Sequence, residues 1–334
     1  MSQALKSVAL ASAKISGALG LSDWLLRGQV RILSYHGAWI TPGYVYSDKM
    51  YIPVEQFRQR MQWLKASKYR VITLDEAIDG LESGELPDRS VVITFDDGWR
   101  TSYSHMLPIL QELELPATIY LTTWYVENAL PVLDKVVDFL VTFAKTNAVS
   151  VGGRSFELGP DAALQIVRHI ESQPLDLRMS CLGELSTGVQ IPDTTWQTSG
   201  QFDLMKPAEV IDAAKRGFDI QLHTHRHTEL DTEVGRLEDE ISDNRLSISR
   251  LLPKADCTHF CYPSGVFHPQ APSILQASKV RSATLCTPGL NKAGCDLMTL
   301  KRFLDGRSVT QPMFEAWLSG LTSVIPGKRS GASF

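Results

Sequence analysis

Apolar runs with strand character alternate with helical segments along most of this chain. The run Val91–Phe95 is apolar without alternation, which is typical of a buried strand in a parallel sheet. Phe57, Met61 and Leu64 instead recur at helical spacing and predict a helix over about 54–67. Alternating strands and helices favour a parallel sheet with right-handed crossovers.

Other segments extend the alternation. Further strands are predicted at 30–35, 70–73, 117–121, 218–222 and 280–285. Helices are predicted at 101–114 and 206–215, and another opens at Leu74 with Asp75 as its N-cap. The resulting α/β domain spans 29–325, between an N-terminal helix at 1–28 and a flexible tail at 326–334.

The alternation of predicted strands and helices is interrupted between about 124 and 205. Helices are predicted at 132–143, 161–172 and 174–185, with a hairpin around Gly152 and Gly153. A stretch this long between two core strands indicates an insertion packed on the sheet, or a lid, instead of a plain loop. Extra structural cover is the favoured interpretation of its role.

The N-terminus does not have the pattern of a secretory signal. The apolar run Val8–Ala11 is shorter than the roughly 7–15 residues of a signal-peptide core. No stretch is long and apolar enough to span a bilayer. A helix that carries Trp24, Leu25 and Arg27 would suit peripheral contact with a membrane surface. Such helices more often pack against the protein core.

Composition restricts the classes of partner. The chain has 334 residues and a formal net charge of −4, which argues against a nucleic-acid surface. Its five cysteines are scattered without a CxxC pair, so neither a disulfide framework nor a zinc finger is expected. A reducing, cytoplasmic location fits this usage best.

Two adjacent carboxylates end the strand predicted at 91–95. Asp96 and Asp97 precede Gly98 at the carboxyl end of that strand, where α/β folds collect functional side chains. Adjacent carboxylates repel each other unless a positive charge lies beside them. The pair therefore predicts a bound metal ion.

Three histidines follow a second strand end, at His223, His225 and His227. His223 and His227 are four residues apart, so a helical turn directly after the strand would project both rings to one side. Imidazole and carboxylate ligands suit zinc, or iron or cobalt with open positions. His225 is out of phase and is expected in a supporting or outward position.

Together these segments resemble a known family. Thr94-Phe-Asp-Asp-Gly98 and His223-Thr-x-x-His227 are similar to the first two motifs of the polysaccharide deacetylase (NodB-like) family, carbohydrate esterase family 4. Ile32–His36, Arg70–Leu74 and Leu115–Leu121 resemble the layout of its single-domain bacterial members. The resemblance covers residues 30–125 and 205–305.

The resemblance implies a distorted (β/α)7-type barrel that binds a divalent metal and removes N-acetyl groups from amino sugars. Asp97, His223 and His227 would be the metal ligands, and Asp96 would be the general base. Zinc is the favoured ion, with cobalt, nickel and iron as alternatives. Such an ion lowers the pKa of water from about 15.7 toward about 7, while the carboxylate takes the proton.

The third family motif is present only in part. Tyr262-Pro263-Ser264-Gly265 resembles an aromatic-Pro-x-Gly groove wall, with Tyr262 where many members carry an arginine that orients the base. The N–H of Ser264 is expected to donate to the oxyanion, since that role needs no side chain. A Pro-Gly turn after a strand is the alternative.

The last motif differs most from the family pattern. Many members carry a histidine near the C-terminus that acts as the general acid, and this histidine is absent here. Arg302 stands there, which resembles a subgroup from capsule or lipopolysaccharide clusters. It would either orient Asp96 through a bidentate pair or form a surface ion pair. His36 and His268 are the remaining candidates for the proton donor.

Aromatic residues are candidates for stacking on sugar rings, although each suits a core equally well. They are Trp39, Tyr44, Tyr46, Tyr51 and Trp99. The predicted substrate-binding set is Trp99, Tyr262, Pro263, His36 and His268.

The sequence therefore predicts a metal-dependent N-deacetylase. Its substrate is expected to be a polysaccharide, a glycolipid precursor or a nucleotide-linked amino sugar. A hydrolase of a small cyclic amide or imide is one alternative, since it would use the same metal and base. A carbohydrate-binding relative without catalysis is the other, suggested by the missing late histidine and by Tyr262.

Overall fold

Parallel strands form the central sheet of the computed structural model, which describes residues 17–46 and 50–324. The strands, in chain order, are β1 (Arg31–Tyr35), β2 (Gly37–Trp39), β3 (Tyr51–Pro53), β4 (Arg70–Val71), β5 (Ser90–Phe95), β6 (Thr118–Leu121), β7 (Ala148–Val151), β8 (Arg154–Glu157), β9 (Asp219–Leu222), β10 (His259–Cys261), β11 (Ser282–Thr284) and β12 (Phe303–Leu304). The central sheet has the order β11-β10-β9-β6-β5-β1-β12, and β4 pairs with the start of β5.

The sheet curls so that its two ends meet. The N–H of Leu285 donates to the carbonyl of Leu300 (2.8 Å), and the N–H of Leu300 donates to that of Ala283 (2.9 Å). The segment after β11 is thereby joined to the segment that leads into β12. The predicted distorted (β/α)7-type barrel is confirmed.

Helices cover the sheet. In chain order they are α1 (Ala18–Leu25), α2 (Val54–Ala66), α3 (Leu74–Ser83), α4 (Leu107–Glu112), α5 (Thr123–Asn128), α6 (Leu133–Thr142), α7 (Ala162–Glu171), α8 (Leu175–Gly188), α9 (Pro207–Lys215), α10 (Leu230–Glu233), α11 (Leu237–Leu251), α12 (Ala271–Ala277), α13 (Gln311–Leu318) and α14 (Leu321–Val324). A π-helix at Ser102–Met106 precedes α4. The N-cap predicted at Asp75 is wrong: Thr73 caps α3 and forms a capping box with Glu76.

Strand β6 separates the two strands that end in the candidate metal ligands. It pairs with β5 through Thr94↔Thr118 and with β9 through Leu121↔Leu222. All six residues of β5 are buried, which explains why its sequence lacks the alternation of a one-sided strand. The carboxyl ends of β5 and β9 therefore open on the same end of the barrel.

The insertion is hydrogen-bonded to the barrel at that end. The N–H of Met205 donates to the carbonyl of Gly98 (2.9 Å), and the N–H of Arg100 donates to that of Asp203 (2.9 Å). Phe139 and Phe202 pack against Trp39 at ring-centroid distances of 5.9 and 6.2 Å. Trp39, Tyr46 and Tyr51 are buried in this cluster, so of the two alternatives left open by the sequence, sugar stacking or core, they belong to the core.

Helix α1 packs against the C-terminal helices, where Ser22 Oγ donates to the carbonyl of Ser319 (2.9 Å). Residues 1–16 of the predicted N-terminal helix, and the predicted tail at 326–334, lie outside the described residues. Within the described ranges, no helix combines the length and the apolar character needed to cross a membrane.

Candidate active site

Strand β5 ends in the two aspartates, whose side chains turn to different partners. The backbone is left-handed at Asp97 (φ 67°) and Gly98 (φ 88°). A Cβ at Gly98 would lie 2.4 Å from Leu121 Cδ1 and would displace that buried side chain, and the positive φ itself favours glycine. The turn gives each carboxylate its own set of partners.

Arg302 holds Asp96. Its Nη1 lies 2.6 Å from Asp96 Oδ1 and its Nη2 lies 2.8 Å from Oδ2, while Ser34 Oγ donates to Oδ2 (3.1 Å). Arg302 is fully buried, which excludes the surface ion pair considered from the sequence. Burial alone would raise the pKa of Asp96, but the guanidinium of Arg302 opposes it and the resulting pKa is below the ordinary value. Asp96 is therefore ionised at neutral pH.

Asp97 meets the two histidines from the end of β9. Its Oδ1 lies 3.0 Å from His223 Nε2 and 3.3 Å from His227 Nε2, and Trp99 Nε1 donates to its Oδ2 (2.7 Å). Burial would raise the pKa of Asp97, but the hydrogen bonds with His223 and His227 hold it well below its usual range. One ligand atom from each of the three residues lies within 4.8 Å of the others.

The donor set fits a divalent cation. His223 Nδ1 lies 2.8 Å from the carbonyl oxygen of Cys261, which can only accept, so Nδ1 carries the proton. In the neutral ring, Nε2 then presents a lone pair to the carboxylate of Asp97. The two groups repel unless Nε2 also carries a proton, which makes the hydrogen bond that lowers the pKa of Asp97, or a metal cation takes the place of that proton. Two imidazole nitrogens and one carboxylate oxygen suit a zinc-type site with an open position.

The loop that carries the histidines is not helical, so His223 and His227 do not converge through the helical turn that the sequence analysis considered. Thr224 (φ 60°) and His227 (φ 57°) are left-handed, and these two residues bring the ring of His227 back toward Asp97. His225 is buried away from the cluster, with Nδ1 2.8 Å from Thr123 Oγ1.

A cavity of about 490 Å³ opens above the cluster. The predicted residues that line it are His36, Asp96, Asp97, Trp99, His223, His227, Tyr262 and Ser264. Arg302 lies behind Asp96. Pro263 and His268 do not line this cavity, so their contact with substrate stays a prediction: Pro263 is buried, and His268 Nδ1 accepts from the N–H of Gln270 (3.2 Å).

The insertion forms part of the cavity wall, beyond the structural cover expected for it. Its lining residues are Tyr125, Val132, Asp134, Lys135 and Leu204. Cys286 and Glu229 also line the cavity and were not predicted, because neither belongs to a motif. Pattern alone gave no signal for these residues: Glu229 lies near His227 in the sequence but in no motif, and the insertion residues approach the site through long-range packing.

Tyr262 does not replace the family's arginine. Its ring packs against Phe260 and Phe267 at centroid distances of 5.3 and 5.7 Å, and Arg302 occupies the position beside the base. Ser264 is left-handed (φ 53°), which distinguishes this segment from an ordinary Pro-Gly turn.

His36 lies on the other side of Asp96. Its Nε2 is 3.7 Å from Asp96 Oδ2, and its Nδ1 is buried without a hydrogen-bond partner among the described residues. Burial lowers the pKa of His36, so the ring is neutral at neutral pH.

The fold and the site together define the class of (β/α)-barrel proteins with an Asp-His-His cluster beside a second buried aspartate. The sequence profile of the polysaccharide deacetylase family matches residues 83–169 and 185–283, more than half of the chain. The chain therefore belongs to the polysaccharide deacetylase family.

Curated relatives match over a shorter stretch. A poly-beta-1,6-N-acetyl-D-glucosamine N-deacetylase of Staphylococcus epidermidis is 42% identical over 69 residues, which cover 21% of this chain and 24% of that protein. Its counterpart from Staphylococcus aureus is 38% identical over 71 residues, with the same coverage. The match thus spans about a quarter of those relatives' length.

Solved structures share the fold over most of the chain. Streptococcus pyogenes deacetylase PplD, in complex with acetate, superposes with a TM-score of 0.58 at 17% identity, over 85% of this chain and 95% of that one. IcaB from Ammonifex degensii superposes with a TM-score of 0.56 at 18% identity, over 87% and 97%.

Proposed function

We propose that this protein hydrolyses the N-acetyl amide of an amino sugar and releases acetate. The observation that carries the proposal is an ionised Asp96, bound by Arg302, beside the Asp97-His223-His227 cluster on one cavity. An amide is a poor electrophile and water a poor nucleophile, so hydrolysis needs a base and an electrophilic group together. This site offers positions for both.

Asp97, His223 and His227 would hold a divalent metal, with zinc favoured over cobalt, nickel or iron. When bound there, the ion supplies a water of lowered pKa and polarises the acetyl oxygen. The Nε1–H of Trp99 fixes Oδ2 of Asp97, which leaves Oδ1 on the side of the histidines.

Asp96 would take the proton from the attacking water. In the contacts described above, its Oδ2 accepts two hydrogen bonds, from Arg302 and Ser34, whereas its Oδ1 accepts one, from Arg302. A carboxylate oxygen has two lone pairs, so Oδ1 keeps one for the proton. The N–H of Ser264 remains the predicted donor to the oxyanion.

Replacing His227 with alanine should remove the metal, because a ligand is lost from a site of three. The protein would be loaded with zinc, dialysed and analysed for metal content. His225→Ala is the matched control: it removes a neighbouring imidazole outside the cluster and should retain zinc. Equal zinc content in His227→Ala and the wild type would remove His227 from the ligand set.

Of the two candidate proton donors, His36 is favoured over His268. His36 lines the cavity and lies beside Asp96, whereas His268 does neither. Its ring is neutral at rest because burial lowers its pKa. It would therefore receive its proton only after the attack delivers one to Oδ1 of Asp96. Because Nε2 of His36 lies 3.7 Å from the other oxygen, Oδ2, that transfer would pass through one water before His36 protonates the leaving amine.

His36→Gln should lose about 100-fold or more in amide hydrolysis, because general acid catalysis is removed. Hydrolysis of 4-nitrophenyl acetate should be nearly unaffected, since an aryl oxide leaves without protonation. His268→Gln is the control and should match the wild type on both substrates. Parallel losses on both substrates would argue against a role for His36 as proton donor.

The proposed substrate is a carbohydrate with N-acetylated amino sugars. The names of the curated relatives favour a poly-beta-1,6-N-acetyl-D-glucosamine-type polymer over a nucleotide-linked sugar. A cytoplasmic location, which remains a prediction, would instead favour a small or lipid-linked form.

Acetate release tests the proposal. Zinc-loaded protein would be incubated with β-1,6- and β-1,4-linked N-acetylglucosamine oligomers and, separately, with small cyclic imides. The expected result is acetate from at least one oligomer and no ring opening. Ring opening without acetate would favour the cyclic-amide alternative, and binding of an oligomer without turnover would favour the non-catalytic one.

A further inference from the structure

Helix α11 carries two polar side chains that are completely buried. Glu240 and Asn244 are four residues apart, on one face of the helix, and each has an exposure of 0%. Buried polar groups are costly unless they are hydrogen-bonded, so the partners of these two residues define their role.

Both side chains bind the backbone of the loop that carries the histidines. Asn244 Oδ1 accepts from the N–H of His223 (3.0 Å), and Glu240 Oε2 accepts from the N–H of Arg226 (2.8 Å). The other oxygen of Glu240 accepts from Arg226 Nη1 (2.8 Å). The helix therefore holds the loop at two points, one at the first ligand and one directly before the second.

The loop needs such support because its backbone is unfavourable. Thr224, between the two points, and His227, directly after the second, are left-handed residues with a Cβ. Such conformations persist only where surrounding contacts impose them. Thr224 Oγ1 adds one local contact by accepting from the N–H of Thr228 (3.1 Å).

Asn244 also reaches the start of the insertion. Its Nδ2 donates to the carbonyl of Leu121 (3.0 Å) and to Thr123 Oγ1 (2.9 Å). Thr123 opens α5, whose Tyr125 lines the cavity. One amide group thus ties the end of β6, the cavity wall and the backbone of His223 together.

We propose that Asn244 and Glu240 are positioning residues that hold the histidine loop in its metal-binding conformation. The proposal rests on the proposed function only in assigning a metal to Asp97, His223 and His227. Neither residue touches the ligand side chains. Both act on the ligands through the backbone N–H groups of His223 and Arg226.

The test measures metal binding without substrate. Metal-free protein would be titrated with Co²⁺, followed by visible absorption, and the Tm of each metal-free variant would be recorded. Asn244→Leu should bind Co²⁺ about 10- to 100-fold more weakly, the size of effect seen when the support of a metal ligand is removed. Glu240→Leu should weaken binding in the same direction, and Glu240→Gln, which keeps an acceptor for Arg226, should restore most of it.

Asn291→Leu is the matched control. Asn291 is also buried and also bridges backbone groups, since it pairs with the N–H and the carbonyl of Lys301 (both 2.9 Å). The Tm of Asn291→Leu should fall as that of Asn244→Leu does, but its affinity for Co²⁺ should equal that of the wild type. Where Asn244→Leu does not fold, the Glu240 pair gives the same comparison.

Wild-type affinity in folded Asn244→Leu, or equal losses of affinity in Asn291→Leu, would overturn the proposal. So would equal Co²⁺ affinity in Glu240→Leu and Glu240→Gln, or a wild-type protein that binds no Co²⁺. A wild type that binds Co²⁺ but releases no acetate from any oligomer would refute the proposed function and leave this inference standing.

Discussion

Asp96→Asn should lose about 10²- to 10⁴-fold in turnover, the range expected when a general base is removed, and should keep its zinc. An asparagine amide cannot accept the proton from water, so the chemical step fails. The three ligand residues are untouched, so zinc content should equal that of the wild type. Acetate release and zinc would be measured on the same preparation.

Asp305→Asn is the matched control for this variant. Asp305 is also a buried aspartate with an arginine partner, Arg60 Nε at 3.3 Å, but it does not line the cavity. Burial raises its pKa to about 6, so exchange of its carboxylate for a neutral amide should cost less than the same exchange at Asp96, whose pKa is lowered. Asp305→Asn should retain turnover. Normal turnover in Asp96→Asn would refute its role as the base, and loss of zinc would make Asp96 a ligand.

The predicted site residues that the structure brings together on one cavity lie in short motifs at strand ends. Asp96 and Asp97 directly follow a strand whose burial is evident from its sequence, and His223 directly follows another. Parallel strands bring their carboxyl ends to one edge, so the convergence of these side chains follows from the fold class alone. The prediction of the ligands needed no knowledge of side-chain packing.

The contacts that support those residues could not be predicted, because each joins distant parts of the chain. The sequence left the role of Arg302 evenly divided, and only its burial and its two short contacts with Asp96 decide it. Asn244 is one polar residue in a charged helix, without a motif. For the tyrosines after β1, the sequence could not distinguish sugar stacking from a place in the core. The structure decides for the core, because Phe139 and Phe202 of the insertion pack against Tyr46 and Tyr51.

Arg302→Met should destabilise the protein by about 3–5 kcal/mol at neutral pH, because it leaves the carboxylate of Asp96 buried without its counter-charge. Arg281→Met is the control. Arg281 pairs with Asp79 and Glu82 at 2.6 and 3.0 Å on the surface, so its loss should cost no more than about 1 kcal/mol. The free energy of unfolding would be measured by denaturant titration at acidic and neutral pH.

Both pH values are needed because the pKa of Asp96 is lowered in the wild type and should be raised in Arg302→Met. In the wild type the pKa of Asp96 is below its ordinary value of 3.8, so its stabilising contribution is present above that pH and is lost in acid. In Arg302→Met the largest opposing charge is lost, so we expect burial to outweigh the remaining contributions of His36 and His223 and to raise that pKa. The variant then loses stability as pH rises from 3.8 through the raised pKa. The difference between the two proteins should therefore widen from acidic to neutral pH.

The same shift should appear in catalysis. With Arg302 removed, Asp96 is protonated over part of the working range, so the acid limb of the kcat/KM profile should move to higher pH. Arg302→Lys keeps one positive charge but loses the bidentate contact, and its acid limb should lie between those of the wild type and Arg302→Met. An unshifted limb in Arg302→Met, with normal folding, would mean that Arg302 does not control the ionisation of Asp96.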